Sequence, residues 1–333
     1  MPRLRHVKKH ELAVSRIRKG RGYAFVDSTG QPVRDPELKA RISKLGIPPA
    51  WKDVRVATLP NAHIQVLGTD DSGRLQYIYH PDWEIRRARK KQVQLAMLTE
   101  ALPKLRRRVA EDLTAETGSK TLAVAIAVAL IDRTAMRVGR ERYLHTNGTR
   151  GAGTLYTRDV RVKGDTLWIK FPAKSGKLAE YSIKDQALAD AITRINTLPG
   201  LRLLQYRDAG GKIHPLNTAA INTYLQEVAG VAVTAKDFRT LHASALAAEQ
   251  LAKLEPGTSE TARKRQMAGV TRSVATFLHN TPAICRKSYI APCLFTLFDK
   301  GKLQGLWAEA LAPSKAGVKP RETRLGVVLQ VAG

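Results

Sequence analysis

Six polar residues, spread over a chain of 333, carry the side chains from which a chemistry can be assembled. They are Arg137 in AMRVGRERY, Lys174 in FPAKSGK, Lys236 and Arg239 in KDFRTLH, and Asn280 and Tyr289 in HNTPAICRKSYIAP. Each is ordinary by itself. As types they suit reaction at a phosphate: a tyrosine is a nucleophile, arginine's planar fork stays charged at any working pH, and a lysine can donate a proton when neighbouring cations lower its pKa. Other common chemistries lack their signatures, since the chain has no G-x-x-x-x-G-K-[ST] loop, no C-x-x-C, no H-E-x-x-H and no G-x-S-x-G. ATP hydrolysis, structural zinc and serine hydrolysis are thereby left without support. His6 and His10, four apart, could share a helical face as metal ligands, but among so many lysines a solvated basic arm is the better reading.

Charge narrows the partner. Lys and Arg total 56 against 29 Asp and Glu, a formal charge of +27 that is already heavy in residues 1–110. Clustered cations on a folded chain gain from counterion release on a polyanion, which favours nucleic acid. The longest apolar run, TLAVAIAVALI over residues 121–131, is about half the ~20 residues of a membrane span and reads as a buried helix. No continuous apolar segment follows the basic N-terminus, so a secretory signal is not expected and the protein is expected in the cytoplasm. Cys285 and Cys293 lie eight apart in a partly helical segment, about 12 Å if the helix is continuous, which suits two reduced thiols.

The six residues sit in blocks that, taken in order, resemble the type IB DNA topoisomerases of the small poxvirus and bacterial kind. GRGYAF near residue 20, PPAWKDV, GRLQYIYH, MRVGRERY, NGTRGAGTL, FPAKSG and KDFRT lead to the Tyr289 segment. The resemblance implies relaxation of supercoiled DNA through cleavage of one strand, a 3′-phosphotyrosine intermediate and religation, with no nucleotide, no metal and no other cofactor. Tyr289 would be the nucleophile. Arg137 and Arg239 would stabilise the extra charge on the nonbridging oxygens of the pentacoordinate phosphorus. Lys174 resembles the family's general acid, protonating the leaving 5′ oxygen, with Lys177 as a competitor on the same turn. Lys236 matches the second lysine and would assist proton transfer. Asn280 stands where viral members carry histidine, with His279 just before it. An asparagine can donate a hydrogen bond to a phosphate oxygen but cannot carry a proton. Arg74, Tyr77 and Tyr79 in SGRLQYIYH, expected on one side of a strand, resemble DNA contacts of the viral N-terminal domain, and Tyr143 fits a similar contact. Tyrosines on a sheet face also suit a β core.

The elements that must position these residues fall into an α+β pattern. Residues 1–90 show turn signals and short apolar alternations, predicting a small β-rich DNA-binding domain with one helix near Pro36–Lys44. From about Asp82 the period becomes helical with an Arg/Lys-rich solvent face, and residues 91–333 are expected to form a larger, mainly helical catalytic domain related to that of tyrosine recombinases. One β region interrupts it: LYTRDVRV, TLWIKFPAK and LAEYSI, joined by Lys-Gly-Asp and Ser-Gly-Lys turns, predict a three-stranded antiparallel meander. Asn280 or Thr281 before Pro282 starts a short helix carrying Tyr289. Residues 312–333 read as a loosely held tail. The two domains would close as a clamp around duplex DNA, one monomer per duplex.

Two other readings share the charge. A tyrosine recombinase has the same arginine, lysine and tyrosine chemistry, but recombinases usually carry H-x-x-R where this chain has Lys236-Asp237-Phe238-Arg239, and their N-terminal part is helical. A non-catalytic architectural DNA binder would share the fold but does not need the full set of catalytic residue types.

Overall fold

Alternating apolar and polar residues build five antiparallel strands near the N-terminus: β1 (Val14–Lys19), β2 (Gly22–Val26), β3 (Lys52–Val56), β4 (Ile64–Thr69) and β5 (Leu75–Tyr79), in the sheet order β2-β1-β3-β4-β5. The computed structural model describes residues 3–310 and 321–332. It divides into two units, Met1–Lys90 and Lys91–Gly333. In the first unit, helix α1 (Pro36–Lys44) begins at Asp35, whose carboxylate accepts from the amides of Glu37 and Leu38. Period two sends successive side chains to opposite faces of the sheet, so this unit has two small cores. One joins Val54, Val56 and Val66 to Ile42 of α1; the other joins Ile64 and Leu67 to Val7, Leu12, Tyr77 and Tyr79. The segment before β1 is not a free arm. Leu4 and Val7 are buried, the Arg5 amide donates to Asn61 O at 2.9 Å, and His6 packs against the rings of His63 and Trp83.

Helix α2 (Pro81–Asp112) carries the boundary between the units. In the second unit α3 (Lys120–Thr134), capped by Ser119, is apolar all round and accordingly buried along nearly its whole length. After α4 (Glu141–Asn147) comes the antiparallel meander β6 (Val160–Lys163), β7 (Thr166–Pro172) and β8 (Leu178–Lys184), with β7 in the middle. Its inward residues Leu167, Ile169, Phe171, Ala179 and Ile183 join the core around α3. The first predicted strand starts late, because Thr157–Asp159 forms a 3₁₀ turn in which Asp159 accepts from the Tyr156 amide and pairs with Arg150. Helix α5 (Gln186–Ile195) follows.

The β region is not the only interruption. A hairpin of β9 (Gln205–Arg207) and β10 (Ile213–Pro215) lies before α6 (Thr218–Ala229), closed by Asp208 accepting from Gly210 and Lys212. Three-residue strands are too short to show an alternation. Helices α7 (Ala235–Ala252), α8 (Glu260–Phe277), α9 (Pro282–Ser288), α10 (Pro292–Asp299) and α11 (Leu303–Glu309) complete the unit, together with α12 (Arg321–Val331).

That last helix corrects the expectation of a loose tail. Leu325, Val328 and Leu329 are fully buried at helical spacing, and α12 packs on α7 and α11. The polar, proline-containing stretch before it hid the short apolar face. Residues 312–320 and 333 of the expected tail lie outside the described residues.

Candidate active site

Arg239 occupies the second turn of α7. The helix start is fixed by Asp237, whose Oδ2 accepts from both the amide and the hydroxyl of Thr234, each at 2.8 Å. The Arg239 side chain is 3% exposed, and its terminal nitrogens donate to two main-chain carbonyls, Ala135 O and Leu278 O, the latter at 3.0 Å. Its Nε has no partner among the described residues. The guanidinium carbon lies 5.0 Å from the centre of the Tyr289 ring.

Arg137 enters from a different element. Helix α3 ends at Ala135, which takes the left-handed conformation at φ 53°, and Arg137 follows in the loop. The loop is held by close backbone approach: Ala152 N donates to Arg137 O at 2.9 Å and Gly153 N to Val138 O at 2.7 Å. Only glycine fits there, because a Cβ on Gly151 would lie 2.3 Å from Arg137 O, and one on Gly139 would lie 2.3 Å from Thr154 Oγ1. The NGTRGAGTL block thus fixes the main chain that carries Arg137. Burial, and next the Arg239 cation, push the Arg137 guanidinium below its ordinary pKa, while Tyr289 and Tyr181 act in the opposite sense. Arg137, Arg239 and Tyr289 therefore share one partly buried patch.

Tyr289 caps the C-terminus of α9. Thr281, rather than Asn280, is the cap at its start, accepting from Ile284 N at 3.4 Å, while Asn280 Oδ1 accepts from Thr281 N at 3.0 Å. A residue that sequence reasoning missed holds the tyrosine's backbone. Ser244 of α7 is fully buried, and its hydroxyl donates to Tyr289 O at 3.1 Å and accepts from Ala291 N at 3.0 Å. One helix thereby carries both Arg239 and the anchor of the Tyr289 segment. A serine in an alanine-rich helix gives no signal of this by its spacing.

His279, noted in the sequence only as the neighbour of Asn280, also belongs to the site. It takes φ 48°, and its ring meets Tyr181 edge-on at 5.4 Å. Burial, then the cations Arg137, Arg239 and Lys177, lower its pKa, so the ring is neutral near pH 7. The HN pair in the sequence was the available hint.

The lysines, unlike Arg239, are exposed. Lys174 is exposed on a 3₁₀ turn, Lys174–Gly176, between β7 and β8, where Gly176 takes φ 70°. Of the two turn lysines, Lys177 acts on His279, and Lys174 acts on Tyr143. Lys236 is exposed in the first turn of α7, one turn before Arg239. Tyr143 of α4 is 41% exposed, and its hydroxyl accepts from Arg142 Nη2 at 2.7 Å. That hydrogen bond, with the charges of Arg142, Arg140 and Lys174, lowers its pKa.

In the N-terminal unit the expected trio separates. Tyr77 and Tyr79 of β5 stack with ring centres 5.7 Å apart and pack on the core beneath them. Arg74 precedes the strand and shares the Asp70 carboxylate with Gln76, so the strand's period places it with Gln76 on the opposite side from the tyrosines.

Comparison with known proteins gives the family. Residues 82–292 match the family described as eukaryotic DNA topoisomerase I, catalytic core, and residues 22–70 match the bacterial DNA topoisomerase IB N-terminal domain. This chain belongs to the type IB DNA topoisomerases. A viral relative, the DNA topoisomerase 1B of Acanthamoeba polyphaga mimivirus, is 34% identical over 286 residues, covering 83% of this chain and 84% of the relative. The catalytic-core match contains Arg137, Lys174, Lys236, Arg239, Asn280 and Tyr289, and ends three residues past the tyrosine. Among the described residues, no helix of this topoisomerase is long and apolar enough to cross a membrane.

Proposed function

We propose that this chain relaxes supercoiled DNA of either sign, as a monomer on double-stranded DNA in the cytoplasm, by cutting one strand with Tyr289 and resealing it. The tyrosine oxygen bonds to the phosphorus, the bond to the 5′ oxygen breaks, and the strand ends as a 3′-phosphotyrosine and a 5′ hydroxyl. The new ester retains the energy of the broken one, so religation needs neither ATP nor a metal. Between the two steps the nicked duplex rotates about its intact strand, driven by torsion.

The observation that carries this reading is the meeting of Arg137, Arg239 and the Tyr289 ring, with Arg239 buried and tied to two carbonyls. A fixed cationic donor stabilises charge that develops on a phosphoryl oxygen without reorganising at the moment of reaction. Arg239 Nε is buried without a partner among the described residues, and the side chain acts on the phosphate through its charge. Asn280 adds an amide donor beside the tyrosine helix. Lys174 protonates the leaving oxygen, with Lys236 assisting; both are exposed and come to the phosphate from outside the patch. Residues 1–90 serve as a DNA-binding domain and 91–333 as the catalytic domain. Tyr143, Tyr77, Tyr79 and Arg74 are proposed DNA contacts, with Arg74 acting from a different side of its strand than the tyrosines.

The test is relaxation of positively and negatively supercoiled plasmid in EDTA without ATP. Relaxation of both supports the reading. A protein that binds plasmid but leaves its linking number unchanged would favour an architectural role.

A further inference from the structure

The last turn of α3 is tied to α7 at two points. Asp132 Oδ1 lies 3.1 Å from His242 Nε2, and three residues further on the Ala135 carbonyl accepts from Arg239. On α7 the two partners are also three residues apart, about one helical turn, so the ties run side by side. The second tie holds the buried arginine, and Arg137 leaves the same end of α3 two residues later.

His242 is 4% exposed, and both of its ring nitrogens face carboxylates, since Nδ1 lies 3.2 Å from Glu322 Oε1 on α12. A neutral imidazole donates through one nitrogen only, which would set the other lone pair against a carboxylate; the imidazolium donates through both. The surrounding charges come from each tied helix. Arg106 of α2 grips Asp132 at 2.7 and 3.0 Å and lies 3.9 Å from Glu322. Arg133 of α3 bridges Asp132 and Asp185, and Arg321 of α12 lies between Glu322 and Glu249. Among the described residues, no charged group of α6, α8, α10 or α11 is bonded to the ring. Burial opposes the charge on His242, but its hydrogen bonds to Asp132 and Glu322 outweigh burial and push its pKa up.

We propose that His242 is a positioning residue for strand cleavage: it sets the spacing between the two arginine-bearing segments and, through Glu322, makes the C-terminal helix part of the catalytic framework. The proposal rests on the roles given to Arg137 and Arg239. Its sign with pH is definite. A raised pKa keeps the tie intact below the ordinary histidine value and loses it as pH climbs through the folded value, when one carboxylate contact turns unfavourable.

The test is single-turnover cleavage of a duplex by the full chain from about pH 6 to about pH 10, with DNA affinity and thermal unfolding measured in parallel. His242→Gln is expected to cleave roughly tenfold or more slowly near pH 6 with unchanged affinity, because small misplacement of a clamp is costly in rate, and the gap is expected to narrow as the wild type loses the tie at alkaline pH. Glu322→Gln removes one of the charges that hold the proton, so its alkaline fall in rate is expected at lower pH than that of the wild type, whatever its rate near pH 6. Coincident alkaline limbs for the wild type and Glu322→Gln would overturn the proposal, as would a His242→Gln variant that melts earlier yet cleaves at the wild-type rate. Should His242→Gln fail to fold, the position of the Glu322→Gln limb decides. A wild type that forms no covalent adduct, or a Tyr289→Phe variant that does, refutes the arginine and tyrosine roles instead.

Discussion

Arg239 is buried with two of its nitrogens on main-chain carbonyls, whereas Lys174 stands exposed at the tip of the β7–β8 turn with no bonded partner among the described residues. The same contrast runs through the site. The main chain of Arg137 is held by the Ala152 and Gly153 amides, and that of Tyr289 by Ser244; Lys177 and Lys236 are exposed like Lys174. Groups that must face developing charge gain from being fixed in advance, because they need not reorganise during the reaction. A proton donor can arrive with the substrate, and an exposed ammonium keeps its hydration when DNA is absent. In the proposed mechanism the two tasks are separated by burial.

The comparison breaks first at the arginine. Arg239→Ala is expected to lower the single-turnover cleavage rate by roughly 10²- to 10³-fold, and to lower the melting temperature as well, since the side chain bridges Ala135 and Leu278. Lys174→Ala should slow cleavage by about 10²-fold, at the low end for a general acid, with no change in melting temperature. A substrate whose leaving group is a 5′ thiolate, which needs no proton, should restore Lys174→Ala and leave Arg239→Ala slow. Rescue of Lys177→Ala instead would exchange the two turn lysines.

A smaller effect is expected at Ser244. Ser244→Ala leaves the Ala291 amide without its partner, at a cost of about 1–3 kcal/mol, and the looser tyrosine segment should slow cleavage and religation together. A variant that changes only one of those rates would place Ser244 outside the positioning of Tyr289. The smallest effect lies at acid pH. Burial raises the Glu322 pKa, but the hydrogen bond and charge of His242 outweigh it and hold the carboxyl at about 2. Its contribution to stability is therefore complete above the ordinary glutamate value and lost as pH falls toward about 2. Glu322→Gln should flatten that part of the unfolding curve, and unchanged acid sensitivity would contradict the pairing.

What could be read in the sequence follows the same division. The strands of the N-terminal sheet, helix α1, the buried α3 and the meander were legible because each carries a sustained period of 2 or a long apolar run. The arginines and the tyrosine stood out through the blocks around them. Hairpin β9–β10 was too short to show a period, and α12 was masked by the polar stretch before it. Ser244 and His242 were invisible for a different reason: each acts through contacts with residues distant in the chain, and neither type nor spacing marks such a partner. Arg74 was misplaced beside Tyr77 and Tyr79 because three positions along a strand reverse the face.

The most direct measurement traps the covalent intermediate on a duplex nicked so that the cleaved end diffuses away, then maps the DNA-bearing residue by peptide mass. The expected result is a single adduct on Tyr289 through a 3′ phosphate, absent from Tyr289→Phe although that variant binds the duplex as tightly as the wild type. An adduct on another residue, or one that survives in Tyr289→Phe, would contradict the assignment.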